Sequence, residues 1–131
     1  MKKIEIDYGK FVPYIETPAI VRANGKNVNV IAVWDTGSTH TTIGADIVKE
    51  LCLNPIGGIY GNTLGGQQKY QWSNVCVILG GGISVSGEML CSDRCVSNDC
   101  KKIILGMDII SLGDFSVKSS GGKTIMTFEV P

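Results

Sequence analysis

Residues 27–43, Asn-Val-Asn-Val-Ile-Ala-Val-Trp-Asp-Thr-Gly-Ser-Thr-His-Thr-Thr-Ile, limit what the chain can fold into more than any other stretch. Val28, Val30, Ala32 and Trp34 recur at every second position with Ile31 and Val33 among them, a pattern that predicts a buried strand. The strand ends on Asp35. Thr36, Gly37 and Ser38 then supply a hydroxyl, a residue without Cβ and a second hydroxyl, the chemistry with which a tight turn holds a carboxylate among backbone donors. An acid in such a turn is presented in a fixed direction.

The remainder reads as short strands between glycine turns. Residues 3–8 alternate Ile4 and Ile6 with charged neighbours and predict a half-exposed strand. Apolar runs at 19–23 and 28–34 flank Asn24-Gly25-Lys26-Asn27, and Asn-Gly in that setting signals a hairpin. Residues 70–79 and 83–90 surround Gly80-Gly81-Gly82, and residues 115–118 and 124–130 surround Gly121-Gly122, which predicts two further hairpins. Residues 45–53 place Ile47, Val48, Leu51 and Cys52 at helical spacing ahead of Asn54-Pro55 and predict one short helix. Asp108 is expected to cap a single helical turn over residues 109–112. Strands at such intervals predict an all-β barrel or sandwich, and 131 residues suit one domain covering 1–131.

Charge narrows the partners. Lys plus Arg and Asp plus Glu number 12 each, so no net field draws the chain to nucleic acid or to an anionic membrane. Charges interrupt the first residues, Met1-Lys2-Lys3-Ile4-Glu5-Ile6-Asp7, and no apolar run is long enough to span a bilayer, so a cytoplasmic protein is expected. In a reducing compartment the five cysteines default to free thiols. Cys52 and Cys76 fall in apolar patterns and are expected in the core. Cys91, Cys95 and Cys100 cluster among Asp93, Arg94, Ser97, Asn98 and Asp99. Joined by His40 or by a cysteine from elsewhere they offer a zinc set, although Cys-x-x-Cys knuckles are missing; incidental loop thiols or a disulfide are the alternatives.

Asp-Thr-Gly-Ser after an apolar strand, closed by Thr41-Thr42-Ile43, resembles the catalytic loop of the aspartic proteases. Downstream, Ile103-Ile104-Leu105-Gly106 and its continuation Met107-Asp108-Ile109-Ile110 resemble the apolar-apolar-Gly element that packs beside that loop in the family. The resemblance spans residues 24–130 and points to the retropepsin-like branch in its bacterial form. It implies a retropepsin-like acid protease barrel with a glycine-rich flap hairpin over the cleft. Residues 57–66, Gly-Gly-Ile-Tyr-Gly-Asn-Thr-Leu-Gly-Gly, lie where the flap belongs; without the resemblance they read as a flexible surface hairpin.

Peptide hydrolysis by carboxylates needs two of them sharing one proton: the ionised one accepts a proton from the attacking water, and the protonated one stabilises the oxyanion. This chain has one Asp-Thr-Gly. A two-fold axis through the site supplies the second, so the expected enzyme is a homodimeric aspartic endopeptidase with a peptide or protein substrate and no cofactor or metal. The resemblance implies a catalytic set of Asp35, Thr36, Gly37 and Ser38, with Thr36 bonding across the axis and Ser38 steadying the outer oxygen of Asp35. It implies substrate contact by flap residues Gly57, Gly58, Ile59, Tyr60, Gly61 and Asn62, and loop support by Ile104, Leu105 and Gly106.

The sequence departs from the viral pattern in four places. Met107 and Thr39 stand where viral members carry an ion-paired Arg and Asp, Trp34 replaces a smaller aliphatic, and the 91–100 loop has no counterpart. The terminal strands at 3–8 and 123–130 have two readings, interleaving with a partner or closing the core through Ile125, Met126 and Phe128. His40 has two as well, a pH sensor or a polar turn residue. The competing functions are a catalytically silent peptide-binding module of the same fold and a zinc-binding interaction protein.

Overall fold

The computed structural model describes residues 1–63 and 66–131. Its strands are β1 (Lys2–Asp7), β2 (Glu16–Ala23), β3 (Lys26–Trp34), β4 (Thr42–Ile43), β5 (Ile56–Thr63), β6 (Gly66–Gly80), β7 (Ile83–Ser92), β8 (Lys102–Leu105), β9 (Asp114–Ser120) and β10 (Lys123–Val130). Two short helices, α1 (Ala45–Glu50) and α2 (Met107–Ile110), interrupt them. Six strands in the order β2-β3-β8-β4-β7-β6 close into a barrel, because β2 also pairs with β6 through Ile20↔Ile78, Val21↔Val77 and Arg22↔Cys76. β5 continues the sheet beyond β6, and β1-β10-β9 form a second sheet.

The period-two pattern decides the barrel. Val28, Val30, Ala32 and Trp34 are all buried, whereas Ile31 and Val33 are half-buried on the other face, so β3 has one core side. Asn24 and Gly25 both take positive φ, 53° and 72°, which matches the twist of β2 and β3 and sets the Ala23↔Lys26 register. Strand β3 then runs parallel to β8, with Trp34 beside Leu105, so the Asp35 turn leaves the barrel next to the Gly106 element.

Both helices differ from their expected spans. α1 stops at Glu50 because Cys52 adopts a left-handed conformation, φ 54°. The Cys52 N–H bonds Lys49 O at 3.1 Å and the Leu53 N–H bonds Val48 O at 3.0 Å, a Schellman closure that turns Cys52 to solvent instead of the core. Cys76 is half-buried. α2 begins at Met107 with Gly106 at its N-cap, so Asp108 lies inside the helical turn and does not cap it.

The terminal strands contribute to the core at two of the three expected positions. β1 and β10 pair within one chain from Lys2↔Val130 to Asp7↔Ile125. Met126 and Phe128 are fully buried, while Ile125 is half-buried. Trp34 packs between Phe115, stacked at 5.2 Å, and the edge of Phe128 at 4.9 Å, which joins the second sheet to the strand that carries Asp35.

Candidate active site

Asp35 begins where the β3–β8 ladder stops. Its N–H bonds Leu105 O at 2.9 Å, its carboxylate Oδ1 accepts the Gly37 N–H at 2.9 Å, and its carbonyl accepts the Ser38 N–H at 3.1 Å. A Cβ at Gly37 would lie 3.2 Å from that same Oδ1 and crowd it. Asp35, Thr36 and Gly37 are exposed and Ser38 is half-buried, so a single chain presents the carboxylate on an open surface. Ser38 departs from its expected role: its hydroxyl donates to His40 O at 2.9 Å and so locks the turn, not the acid.

A second layer of bonds fixes the turn from beneath. Met107 N–H donates to Ser38 O at 2.8 Å, and Gly106 N–H donates to Thr41 Oγ1 at 3.1 Å. The Asp108 carboxylate accepts the Thr41 N–H at 3.0 Å, the Thr41 hydroxyl at 2.7 Å and the Ile109 N–H at 2.9 Å. Thr41 is fully buried, so these bonds satisfy groups that water cannot reach. Gly106 is required by proximity: a Cβ there would lie 2.5 Å from the His40 carbonyl carbon. Leu105 is fully buried and Ile104, paired to Val33 and Thr42, is half-buried. Sequence reading missed the Asp108–Thr41 link. An acid ahead of a short apolar run also fits a cap, and the two residues are 67 positions apart.

Gly57, Gly58, Ile59, Tyr60, Gly61 and Asn62 all fall in β5, which pairs with β6 through Ile56↔Trp72, Ile59↔Tyr70, Tyr60↔Lys69, Gly61↔Gln68 and Asn62↔Gln67. Residues 64 and 65 of the expected flap lie outside the described residues. The ladder shifts register between Ile56 and Ile59, where Gly57 takes φ 77°. Trp72 meets the His40 ring edge-on at 5.3 Å, which identifies the face of the hairpin turned toward the Asp35 turn. Alternation puts Tyr70 and Gln68 on that face and Tyr60, opposite Lys69, on the other.

The Tyr70 ring lies across Gly61, where a Cβ would be 2.9 Å from Cε2, and its hydroxyl donates to Gln68 Oε1 at 2.6 Å. Trp72 and Tyr70 were legible as a strand but not as cleft residues. An aromatic pair two apart marks a shared face without saying what the face looks at.

Cys91, Cys95 and Cys100 differ in their surroundings. Cys91 is buried within β7, between Ile43 and Gln71, and burial pushes its thiol up to about 11. Cys95 and Cys100 are exposed. Among the described residues no group of three His, Cys, Asp or Glu is placed to hold a metal, and no helix is long and apolar enough to cross a membrane.

No family model matches the sequence, and no curated protein sequence matches it. Solved structures do match the fold. A retropepsin-like aspartic protease from Rickettsia conorii is similar over 92% of this chain and 97% of its own, with a TM-score of 0.66 and 16% identity. The retroviral protease-like domain of Ddi1 from Leishmania major covers 88% of this chain and 94% of its own, at 0.57 and 15%. EIAV protease, in complex with the inhibitor HBY-793, covers 75% and 86%, at 0.52 and 22%. With the six-stranded barrel and the β3–turn–β8 arrangement, these likenesses identify the architecture: the chain has the retropepsin-like aspartic protease fold.

Proposed function

We propose that the chain is one half of an aspartic endopeptidase whose dyad consists of two Asp35 side chains, one from each copy of a homodimer. The observation that carries this reading is the exposed Asp35 carboxylate, held on the Gly37 N–H at 2.9 Å by a turn bonded to Leu105, Met107 and Thr41. Among the described residues the Asp35 carboxylate is bonded to the Gly37 N–H and to no second acid; a two-fold axis through the turn provides one. One Asp35 then takes the proton of the attacking water while the other donates to the oxyanion. Thr36 bonds across the axis, and an extended peptide lies in the cleft under the β5–β6 hairpin, held by strand-like hydrogen bonds.

The test is cleavage of an unstructured protein substrate across roughly pH 4 to 7, the span set by carboxyl pKa values, by the wild type and by Asp35→Asn. Loss of turnover with the fold retained is expected, because asparagine has the same shape and cannot accept the proton. Activity that survives the substitution eliminates the assignment. A peptide-binding module that keeps the cleft without turnover is the competing reading, and it requires substrate peptides to bind both proteins while neither cleaves them.

A further inference from the structure

The β5–β6 hairpin has a second side. Trp72 and Tyr70 face the Asp35 turn, and alternation along β6 turns Lys69 and Gln71 the other way. There, between β6 and α1, lies a cavity of about 520 Å³, within the size range of small-molecule sites. Its apolar wall comes from Val48 of α1, from Leu53 and Pro55 in the segment that follows, and from the buried Cys91 of β7, the cross-strand neighbour of Gln71.

The charges around this wall are unequal. Lys49, in the last turn of α1, and Lys69 both line the cavity, and among the described residues neither has an ion-pair partner. Among the described lining residues the only carboxylate is Asp93. Two ammonium groups against one carboxylate leave a positive rim around an apolar wall, which suits an anion with an apolar body and a single acid group. A second groove, on β2 and β3 around Ile20 and Ile31, is also apolar, but its lysine, Lys101, is paired with Glu50.

Gln71 links the cavity to the hairpin. Its Nε2 donates to Gly57 O at 3.1 Å, where Gly57 takes φ 77° and the β5–β6 register shifts. Lys69 runs beside Gly58, its Cε 3.9 Å from where a Cβ would lie. A ligand that touches Gln71 and Lys69 on one side and α1 on the other ties the base of the hairpin to the helix.

We propose that this cavity binds a small monocarboxylate with an apolar body, held by Lys49 and Lys69, and that its binding steadies the base of the hairpin. The site is independent of the dyad reading, and its test requires no turnover.

The probe is octanoate, with octanol as its uncharged counterpart. Each of the two hollows has an exposed cysteine in its lining, Cys52 here and Cys100 in the β2–β3 groove, while Cys95 lines neither. Alkylation of the native protein by iodoacetamide, read by peptide mass analysis, therefore reports which hollow is filled. Octanoate is expected to protect Cys52 and leave Cys95 unchanged, and octanol to protect Cys52 far less. Lys49 and Lys69 are both exposed, so Lys49→Gln combined with Lys69→Gln leaves the fold intact. It should raise the octanoate concentration for half protection about tenfold, the equivalent of one charge-assisted hydrogen bond. Amide exchange over residues 55–58 and 69–72 should slow when octanoate saturates the wild type. Cys52 that labels at one rate with and without octanoate, equal protection by octanol, protection of Cys100 in place of Cys52, or half protection unmoved in the double variant overturns the site. Protection of Cys52 with unchanged exchange overturns the tie to the hairpin.

Discussion

The Asp35 turn and the hairpin facing it are built on opposite principles. The turn is tied from several sides by backbone and carboxylate bonds, from Leu105, Met107, Gly106 and Asp108 to Asp35, Ser38 and Thr41. Its neighbour Gly106 packs so tightly on His40 that no side chain fits. The β5–β6 hairpin has glycines at 57, 58 and 61, a register shift at its base, and side-chain ties such as Tyr70 to Gln68 and Gln71 Nε2 to Gly57 O. A platform that must hold an acid in one direction uses bonds that cannot rotate. In the reading proposed above, the hairpin is the cover that admits a chain and closes on it, which its glycines and register shift favour.

Substitutions at the two ends of this contrast should differ in size. Gly106→Ala forces a Cβ into the His40 backbone and is expected to cost about 3 kcal/mol or more in a denaturant titration, the upper range for overpacking; a loss under about 1 kcal/mol would mean that the turn yields. Asp108→Ala strands the buried Thr41 N–H and hydroxyl, an expected loss of about 2–4 kcal/mol. Asp108→Asn, which can still accept one of those bonds, should recover part of it. Gly61→Ala meets only the Tyr70 ring, which can swing aside, so stability should fall by about 1 kcal/mol or less. Its effect should appear in peptide binding, and Tyr70→Ala should relieve it.

The smallest effect is expected at the border. Cys91 joins the platform strand at Ile43 to the hairpin strand at Gln71. With its thiol at about 11, it stays neutral through the mildly alkaline pH of alkylation and is lost as a protected group only above that value. Cys95 and Cys100, both exposed, should therefore label first in native protein, by peptide mass analysis. Early labelling of Cys91 would show that hairpin motion reaches into the platform.

The platform was more legible in the sequence than the cover, for a physical reason. Alternation in residues 28–34 and the Asn24-Gly25 turn are local signals that tertiary packing had no cause to override, and they fix β3 and the exit of Asp35. The Thr41 partner of Asp108 is not local: whether an acid caps a helix or ties down a distant threonine depends on which backbone lies across from it. The early end of α1 escaped notice because Cys52 is not a residue whose chemistry announces a left-handed conformation. In the hairpin, glycines erase the alternation that would have told its two faces apart. Among the described residues, the contact of Trp72 with His40 does so.

The central claim, one acid from each of two identical chains, is tested most directly by mixing. Wild type and Asp35→Asn, refolded together in varying ratio at constant wild-type concentration, form mixed pairs with one intact acid. The account predicts that cleavage falls in proportion to the wild-type share of chains. Cleavage that is unchanged as the variant is added would show that a single chain holds a complete site, and would contradict it.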